Sequence, residues 1–155
     1  MTTLIVATDG SDLAIQAACS ALSLTKPADR TLIVSVVGLI DDLTPDISGL
    51  AGPTMTPRQL EAHQREAAAL ARAAVEATVE ALRNQGSLPE HFEPKVVEGS
   101  AGPTLCNLAA ETDASALIVG SRGRGGLKRA LLGSVSDYVV RHAPCPVMVS
   151  RTRES

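Results

Sequence analysis

The fold of this chain is decided by residues 117–126, Leu-Ile-Val-Gly-Ser-Arg-Gly-Arg-Gly-Gly. The stretch opens with the run Leu117–Val119, which is too short for a helix and too uniformly apolar for a half-exposed strand. It therefore predicts a buried strand. The strand passes into a loop with four glycines between Gly120 and Gly126. Because glycine allows positive φ and a close approach of the backbone to a ligand, this junction is a candidate for chemistry as well as structure.

On either side of this stretch, other runs of the same kind predict the rest of a sheet. Three more buried strands are predicted at Leu4–Ala7, Leu32–Val37 and Val147–Val149. In Phe92–Val97, apolar and polar residues alternate, which predicts an outer strand with one wetter face. Helical patterns fill the gaps, at about Ser11–Thr25, Thr56–Gly86, Pro103–Thr112 and from Ser134 to just before Pro144.

Two of these helices carry start signals in the sequence. Thr56 followed by Pro57 and Gln59 combines a cap, a proline at the first helical position and a capping-box partner. Ser134 and Asp137 form a second capping-box pattern. One apolar stripe is predicted along the long second helix, at Leu60, Ala67, Leu70, Ala74 and Leu82.

Strands and helices alternate along the chain, which predicts the α/β class with an open, doubly wound parallel sheet and helices on both faces. We expect residues 1–155 to form a single domain. A domain of this length buries about 68–70% of its unfolded surface, so it needs neither disulfides nor a structural metal. The core must be aliphatic, because the 45% apolar residues include no Trp, one Tyr and one Phe.

Charge and cysteine content limit the function classes. The net charge of −3 argues against broad nucleic-acid binding, because no excess of cations is present to displace counterions. Cys19, Cys106 and Cys145 are widely spaced and odd in number, which favours reduced thiols in a cytoplasmic protein over a disulfide framework. No signal peptide is recognisable, and no apolar stretch approaches the ~20 residues that span a bilayer. We therefore expect no membrane partner.

Polar and glycine residues occur where predicted strands end, which is where α/β sheets bind ligands. Asp9 directly follows the first strand, and either presents a carboxylate to the ligand crevice or, with Ser11, only caps the next helix. The loop from Gly120 to Gly126 is either an anion-binding nest or a flexible turn. Arg122, Arg124, Lys128 and Arg129 make this region locally basic in an acidic chain.

Gly133-Ser134 favours the anion-binding interpretation of that loop. A helix begins there, and its unpaired N–H groups and dipole attract phosphate. Ser134 and Ser136 add hydroxyl groups. A glycine turn and a helix start that are joined by a short segment can face one anion from two sides.

Motifs of other nucleotide-binding and catalytic sites are missing. The sequence contains no Walker A loop, no dinucleotide fingerprint after the first strand and no nucleophile elbow. His63, His91 and His142 lack metal-ligand spacing, which favours surface positions, and Cys145 between two prolines favours a structural role. The segment Gly38–Met55 is irregular and is either a lid over a ligand or a plain connection.

The spacing Gly120-x2-Gly123-x9-Gly133-Ser134 resembles the ATP-binding signature of the universal stress protein family. The flanking residues 117–123, the residues 134–147 and the opening Ile5-Val-Ala-Thr-Asp9-Gly-Ser11 also resemble that family. The resemblance covers nearly the whole chain, and Gly38–Met55 is its least typical part.

The resemblance implies a sheet of five parallel strands in the order 3-2-1-4-5. It implies ATP or another adenine nucleotide as the cofactor, with Mg²⁺ held through Asp9 as an open possibility. It implies a homodimer that forms through the last strand, at about Pro146–Ser150. The residues it assigns to adenine and ribose are Ala7, Thr8, Asp9 and Val36 or Val37, and those it assigns to ribose and phosphates are Gly120, Arg122, Gly123, Gly133, Ser134, Val135 and Ser136.

Three functions stay open at this stage. The leading hypothesis is a nucleotide-dependent regulatory protein of the stress response with at most slow ATP hydrolysis, because a phosphate site is predicted without a catalytic base or nucleophile. The second is a stress-protein dimer that acts through protein contacts without ATP. The third is a nucleotide-using enzyme, such as a phosphotransferase, which would need a substrate pocket and an acid–base group.

Overall fold

A computed structural model describes residues 1–38, 55–121 and 132–151 of the chain. Within these ranges five strands and four helices alternate. Their bounds are β1 Thr3–Ala7, α1 Asp12–Leu24, β2 Arg30–Val37, α2 Pro57–Asn84, β3 Phe92–Glu98, α3 Ala101–Glu111, β4 Ala116–Gly120, α4 Ser134–His142 and β5 Val147–Ser150. All nine elements that the sequence predicts are therefore present, with ends that differ by a few residues.

The strands form one parallel sheet in the order β3-β2-β1-β4-β5. This confirms the predicted fold class and strand order. β3 lies at one edge and is only partly buried, as its alternating sequence predicts. β5 lies at the other edge and pairs with β4 through contacts such as Leu117 with Val147.

Helices cover both faces of the sheet, which explains why the central strands are apolar on both sides. On one face α3 and α4 pack over a cluster that includes Ile5, Leu32 and Leu117. On the other face α1 and α2 pack over Val6, Ile33 and Ile118. The alternation of these residues along β1, β2 and β4 is the period of two that a strand imposes.

The long helix α2 begins as predicted, but its predicted apolar stripe is only partly buried. Thr56 caps it with a complete capping box to Gln59, and a proline occupies the first turn. Leu70, however, is 51% exposed. With 28 residues the helix is about 42 Å long, and its buried residues begin only at Ala71. The first half of α2 therefore does not reach the core.

The predicted cap of α4 is wrong by one position. Gly133 is the N-cap, Ser134 is the first helical residue, and no side chain caps the helix. With Gly133 as the cap, Asp137 is the fourth helical residue instead of the third, so it cannot complete a capping box, and its carboxylate accepts two hydrogen bonds from the Arg141 guanidinium. No helix within the described ranges is both long enough and apolar enough to cross a bilayer.

Candidate functional site

The carboxyl ends of β1 and β4 lie side by side in the sheet, with Val6 paired to Ile118. The strand order reverses at β1, because β2 and β3 follow on one side of it and β4 and β5 follow on the other. This is the point at which open α/β sheets have a ligand crevice. β1 ends here at Ala7 and is followed by Thr8 and Asp9, and β4 ends beside it at Gly120.

The turn after β1 is held by its own side chains. The Asp9 Oδ1 atom accepts hydrogen bonds from the Ser11 N–H at 3.0 Å and from the Ser11 hydroxyl at 2.6 Å. Ser11 in turn accepts from the Ala14 N–H at 3.2 Å and so caps α1. The capping interpretation of Asp9 and Ser11 is therefore observed, while the half-buried Asp9 also lies at the crevice. The Thr8 side chain is buried and bonds to the Thr78 hydroxyl of α2 at 2.8 Å.

Ser121, which follows β4, is hydrogen-bonded to residues at the start of α4 and to β5. Its carbonyl oxygen accepts the Gly133 N–H at 2.7 Å and the Ser136 hydroxyl at 3.2 Å, and its N–H donates to the Ser150 carbonyl at 2.9 Å. Ser136 is buried and shares its hydroxyl hydrogen with the Gly133 carbonyl at 3.0 Å. The start of α4 is thus fixed beside the end of β4. Sequence reasoning missed Ser121, although its place inside the motif was a usable signal.

This arrangement determines which groups of α4 remain available to an anion. The Gly133 N–H is already used within the protein, and so is the Ser136 hydroxyl hydrogen. Within the described part of the chain, the N–H groups of Ser134 and Val135 have no hydrogen-bond partner. Together with the helix dipole, such N–H groups attract a phosphate or carboxylate.

A patch of small apolar side chains lies on the sheet face that α3 and α4 cover. Ala7, Val36, Val97 and Val135 are all partly buried, and all pack against the core cluster under α3 and α4. Val36 and Val97 are register partners near the ends of β2 and β3. This shared packing defines the apolar patch, and the patch includes three residues, Ala7, Val36 and Val135, that the family resemblance assigned to the site. Val97 was missed because the strand order predicts that β3 lies beside β2 but not the register, which pairs Val97 with Val36.

Other residues that the sequence singled out add nothing to the described part of the site. Arg122, Gly123, Arg124, Lys128 and Arg129 lie outside the described residues, as does the part of the irregular segment between Gly38 and Met55. His63, His91 and His142 are all exposed. Among the described residues, no group of three or more His, Cys, Asp or Glu side chains could hold a metal ion. Asp9 is therefore the one residue of our site prediction that supplies a carboxylate.

The thiols are free and their chemistry is suppressed by packing. Cys19 and Cys106 are buried, and Cys145 is half-buried. Burial raises the pKa of all three thiols above the usual range, because a thiolate would lose its hydration. A raised pKa lowers the thiolate fraction at neutral pH, so these cysteines are poor nucleophiles.

Comparison with known proteins agrees with this geometry. The profile of the universal stress protein family matches residues 1–151. The universal stress protein YxiE of Bacillus subtilis is 31% identical over 149 residues, which cover 96% of this chain and 97% of that protein. The structure of UspA from Lactobacillus plantarum matches with a TM-score of 0.75 and 25% identity over 97% of each chain. A family protein from Arabidopsis thaliana solved with AMP bound has a TM-score of 0.64 and 20% identity, and the match covers 99% of this chain and 93% of that one. With its five-stranded parallel sheet and a family profile that spans almost all of its residues, the chain belongs to the universal stress protein family.

Proposed function

We propose that this chain binds an adenine nucleotide, ATP in the first place, in the crevice between β1 and β4. It acts as a nucleotide-dependent regulatory protein of the stress response with at most slow ATP hydrolysis. The phosphates lie against the start of α4, and the base lies on the apolar patch formed by Ala7, Val36, Val97 and Val135. Mg²⁺ accompanies the phosphates, with Asp9 as its candidate ligand. We place the protein in the cytoplasm, where free thiols persist.

The bond between the Ser121 carbonyl and the Gly133 N–H carries this proposal. It fixes the uncapped end of α4 next to the end of β4, and β4 is the sheet neighbour of β1, which Asp9 follows. An anion there meets N–H donors and the positive end of a helix dipole. The apolar patch beside them suits a flat aromatic base, because ligand sites combine apolar walls with a few placed polar groups.

The relatives support the same ligand class. The Arabidopsis protein that shares the fold was solved with AMP bound. AMP, ADP and ATP have the adenine, the ribose and at least one phosphate in common, so the site as we propose it would accept each of them. The number of phosphates that the chain prefers is a matter for titration.

Titration calorimetry with Mg-ATP, ADP and AMP tests binding, and two changes at Ser134 test the site. Ser134→Pro removes the N–H donor at the first helical position, which proline tolerates well, and the preceding Gly133 already has the extended backbone that proline requires (φ −71°, ψ 166°). A hydrogen bond to a charged group contributes about 1.5–3 kcal/mol, so we expect the Kd to rise about 10- to 150-fold. The matched control Ser134→Ala keeps the N–H and removes only the hydroxyl, so its loss of affinity should be much smaller.

Two outcomes would contradict the proposal. If millimolar nucleotide produces neither heat nor a shift in melting temperature with the unmodified protein, nucleotide binding is wrong. If Ser134→Pro folds and binds as tightly as Ser134→Ala, the phosphates do not lie at the start of α4.

A homodimer formed through about Pro146–Ser150 completes the proposal. β5 pairs only with β4 in the described sheet, and an edge strand has backbone groups that a second copy can pair. Sedimentation velocity at micromolar concentration measures the mass. A dimer that forms without nucleotide and keeps its activity in cells after Ser134→Pro would favour the second function, in which the protein acts through contacts alone.

A further inference from the structure

A buried chain of hydroxyl groups connects the turn after β1 to the middle of α2. Thr78 is fully buried, and its Oγ1 atom lies 2.8 Å from the Ala74 carbonyl oxygen and 2.8 Å from the Thr8 Oγ1 atom. The Gly10 N–H donates to the same Thr8 oxygen at 3.1 Å. Four residues from two separate elements are therefore joined by three consecutive hydrogen bonds.

The direction of this chain follows from counting hydrogens. A carbonyl oxygen only accepts, so Thr78 must donate its single hydroxyl hydrogen to Ala74. The contact between the two hydroxyls then has only one possible donor, which is Thr8. Thr8 in turn accepts from the Gly10 N–H. The orientation of every hydroxyl is thus fixed by Thr78, and no member of the chain is left unpaired.

A second contact joins the same two elements. Gly10 has a φ of +75°, and a Cβ atom built on it would lie 2.7 Å from the Ala74 Cα atom. The backbone of the turn therefore lies directly on one turn of α2, both at Thr8 and at Gly10. Asp9 lies between these two tethered residues, and Ser11 holds its carboxylate.

We propose that Thr78 is a positioning residue for the nucleotide site: it contacts no ligand, but its hydroxyl fixes the backbone of the turn that carries Asp9 at the end of β1. This inference rests on the proposed function. It also explains a polar side chain at the centre of the buried face of α2, where the other buried residues are Ala71, Ala74, Val75, Val79 and Leu82.

A bond from a helical threonine to the carbonyl four residues earlier is common and by itself indicates no function. Thr112, the C-cap of α3, makes such a bond to the Leu108 carbonyl at 2.7 Å. It lies at the C-terminal end of α3, just before β4 begins, and the crevice lies at the other end of the strands. Thr78 differs because its hydroxyl also accepts from Thr8. Thr112 is only half-buried, but Thr112→Val makes the same chemical change and removes the same kind of bond without the link to the site, so it serves as the control.

The test compares Thr78→Val, Thr78→Ser and Thr112→Val in the full chain. Valine has the shape of threonine but leaves the buried Thr8 hydroxyl without an acceptor, whereas serine keeps the oxygen. Mg-ATP titration gives the Kd, and amide hydrogen exchange of ¹⁵N-labelled protein without nucleotide gives the protection of the Gly10 N–H. We expect Thr78→Val to raise the Kd about tenfold and to speed Gly10 exchange by a similar factor. Serine should restore both values to within about twofold, and Thr112→Val should change neither.

The outcomes separate this inference from the proposed function. If the unmodified protein binds Mg-ATP and Thr78→Val binds equally well, the positioning role is wrong while nucleotide binding stands. Unchanged Gly10 exchange in Thr78→Val would overturn the positioning role in the same way, without any ligand. If the unmodified protein binds no nucleotide, the proposed function and this inference fall together. Should Thr78→Val not fold, a serine variant with weakened binding and fast Gly10 exchange would also overturn the role of the hydroxyl oxygen.

Discussion

Replacing Gly10 with alanine tests whether α2 really lies against the turn that presents Asp9. Gly10 has two reasons to be glycine, namely a φ of +75° and the Ala74 backbone at 2.7 Å from an added Cβ atom. Gly86, which follows α2, shares only the first reason, because its φ is +68° but nothing lies within 4 Å of an added Cβ atom. Gly86→Ala is therefore the control that isolates the cost of the backbone conformation.

The two costs can be worked out separately. A positive φ costs an alanine about 1–2 kcal/mol, and the stiffer unfolded chain returns about 0.4–1 kcal/mol. We expect Gly86→Ala to lower the free energy of unfolding by about 1 kcal/mol. Gly10→Ala adds the displacement of a packed helix backbone, about 1–3 kcal/mol for overpacking. The loss at Gly10 should therefore total about 2–4 kcal/mol.

Urea unfolding followed by far-UV circular dichroism measures both variants, since the chain has no Trp and only one Tyr to report by fluorescence. For a domain of this size, 1 kcal/mol corresponds to about 2–4 °C in melting temperature, so the two variants should differ by roughly 2–12 °C. If Gly10→Ala is no less stable than Gly86→Ala, α2 does not press on the turn. The support that we infer from Ala74 and Thr78 would then be wrong.

Three further predictions concern buried and charged groups. Ser136→Ala removes the hydroxyl shared by two carbonyls and should lower the free energy of unfolding by about 1 kcal/mol, because Ser121 keeps its bond from Gly133; no change in melting temperature would contradict it. Glu93→Gln breaks a surface ion pair whose side chains are 37% and 47% exposed, so the loss should stay below about 1 kcal/mol and shrink in high salt. The hydrogen bond from Arg30 lowers the pKa of Glu93, so the pair stabilises the fold at neutral pH and loses its effect as pH falls through that lowered pKa. Burial raises the pKa of the three thiols, so the folded state keeps their protons to a higher pH than the unfolded state does. The free energy of unfolding, measured in urea, should therefore fall as pH rises past about 8.5.

The strands were predictable because their residues leave little choice. A run such as Ile5–Val6 or Leu117–Val119 is apolar on both faces, and only a sheet covered on both sides buries it. The strand order came from the family resemblance rather than from such patterns, because local sequence does not say which strands are neighbours.

The wrong predictions have a common physical origin. A local sequence pattern does not show which other parts of the chain pack against an element or bond to its side chains. Leu70 continues the apolar stripe of α2, yet the packed part of that helix begins one residue later. Ser134 and Asp137 match a capping box, but Arg141 offers Asp137 a charged partner and Gly133 takes the cap position. Thr78 was detectable in principle, as a polar side chain on the buried face of a helix, but its partner Thr8 is 70 residues away in the chain.

The Ser121–Gly133 bond has a consequence for how this chain can change over time. It ties Ser121, whose N–H donates to the Ser150 carbonyl, to Gly133 at the start of α4. The entropy of closing a loop rises by only about 0.6 kcal/mol for each doubling of its length. A change in the number of residues between these two points therefore adds little closure free energy to folding. Natural selection can adjust that segment to a new ligand while the scaffold that carries it stays the same.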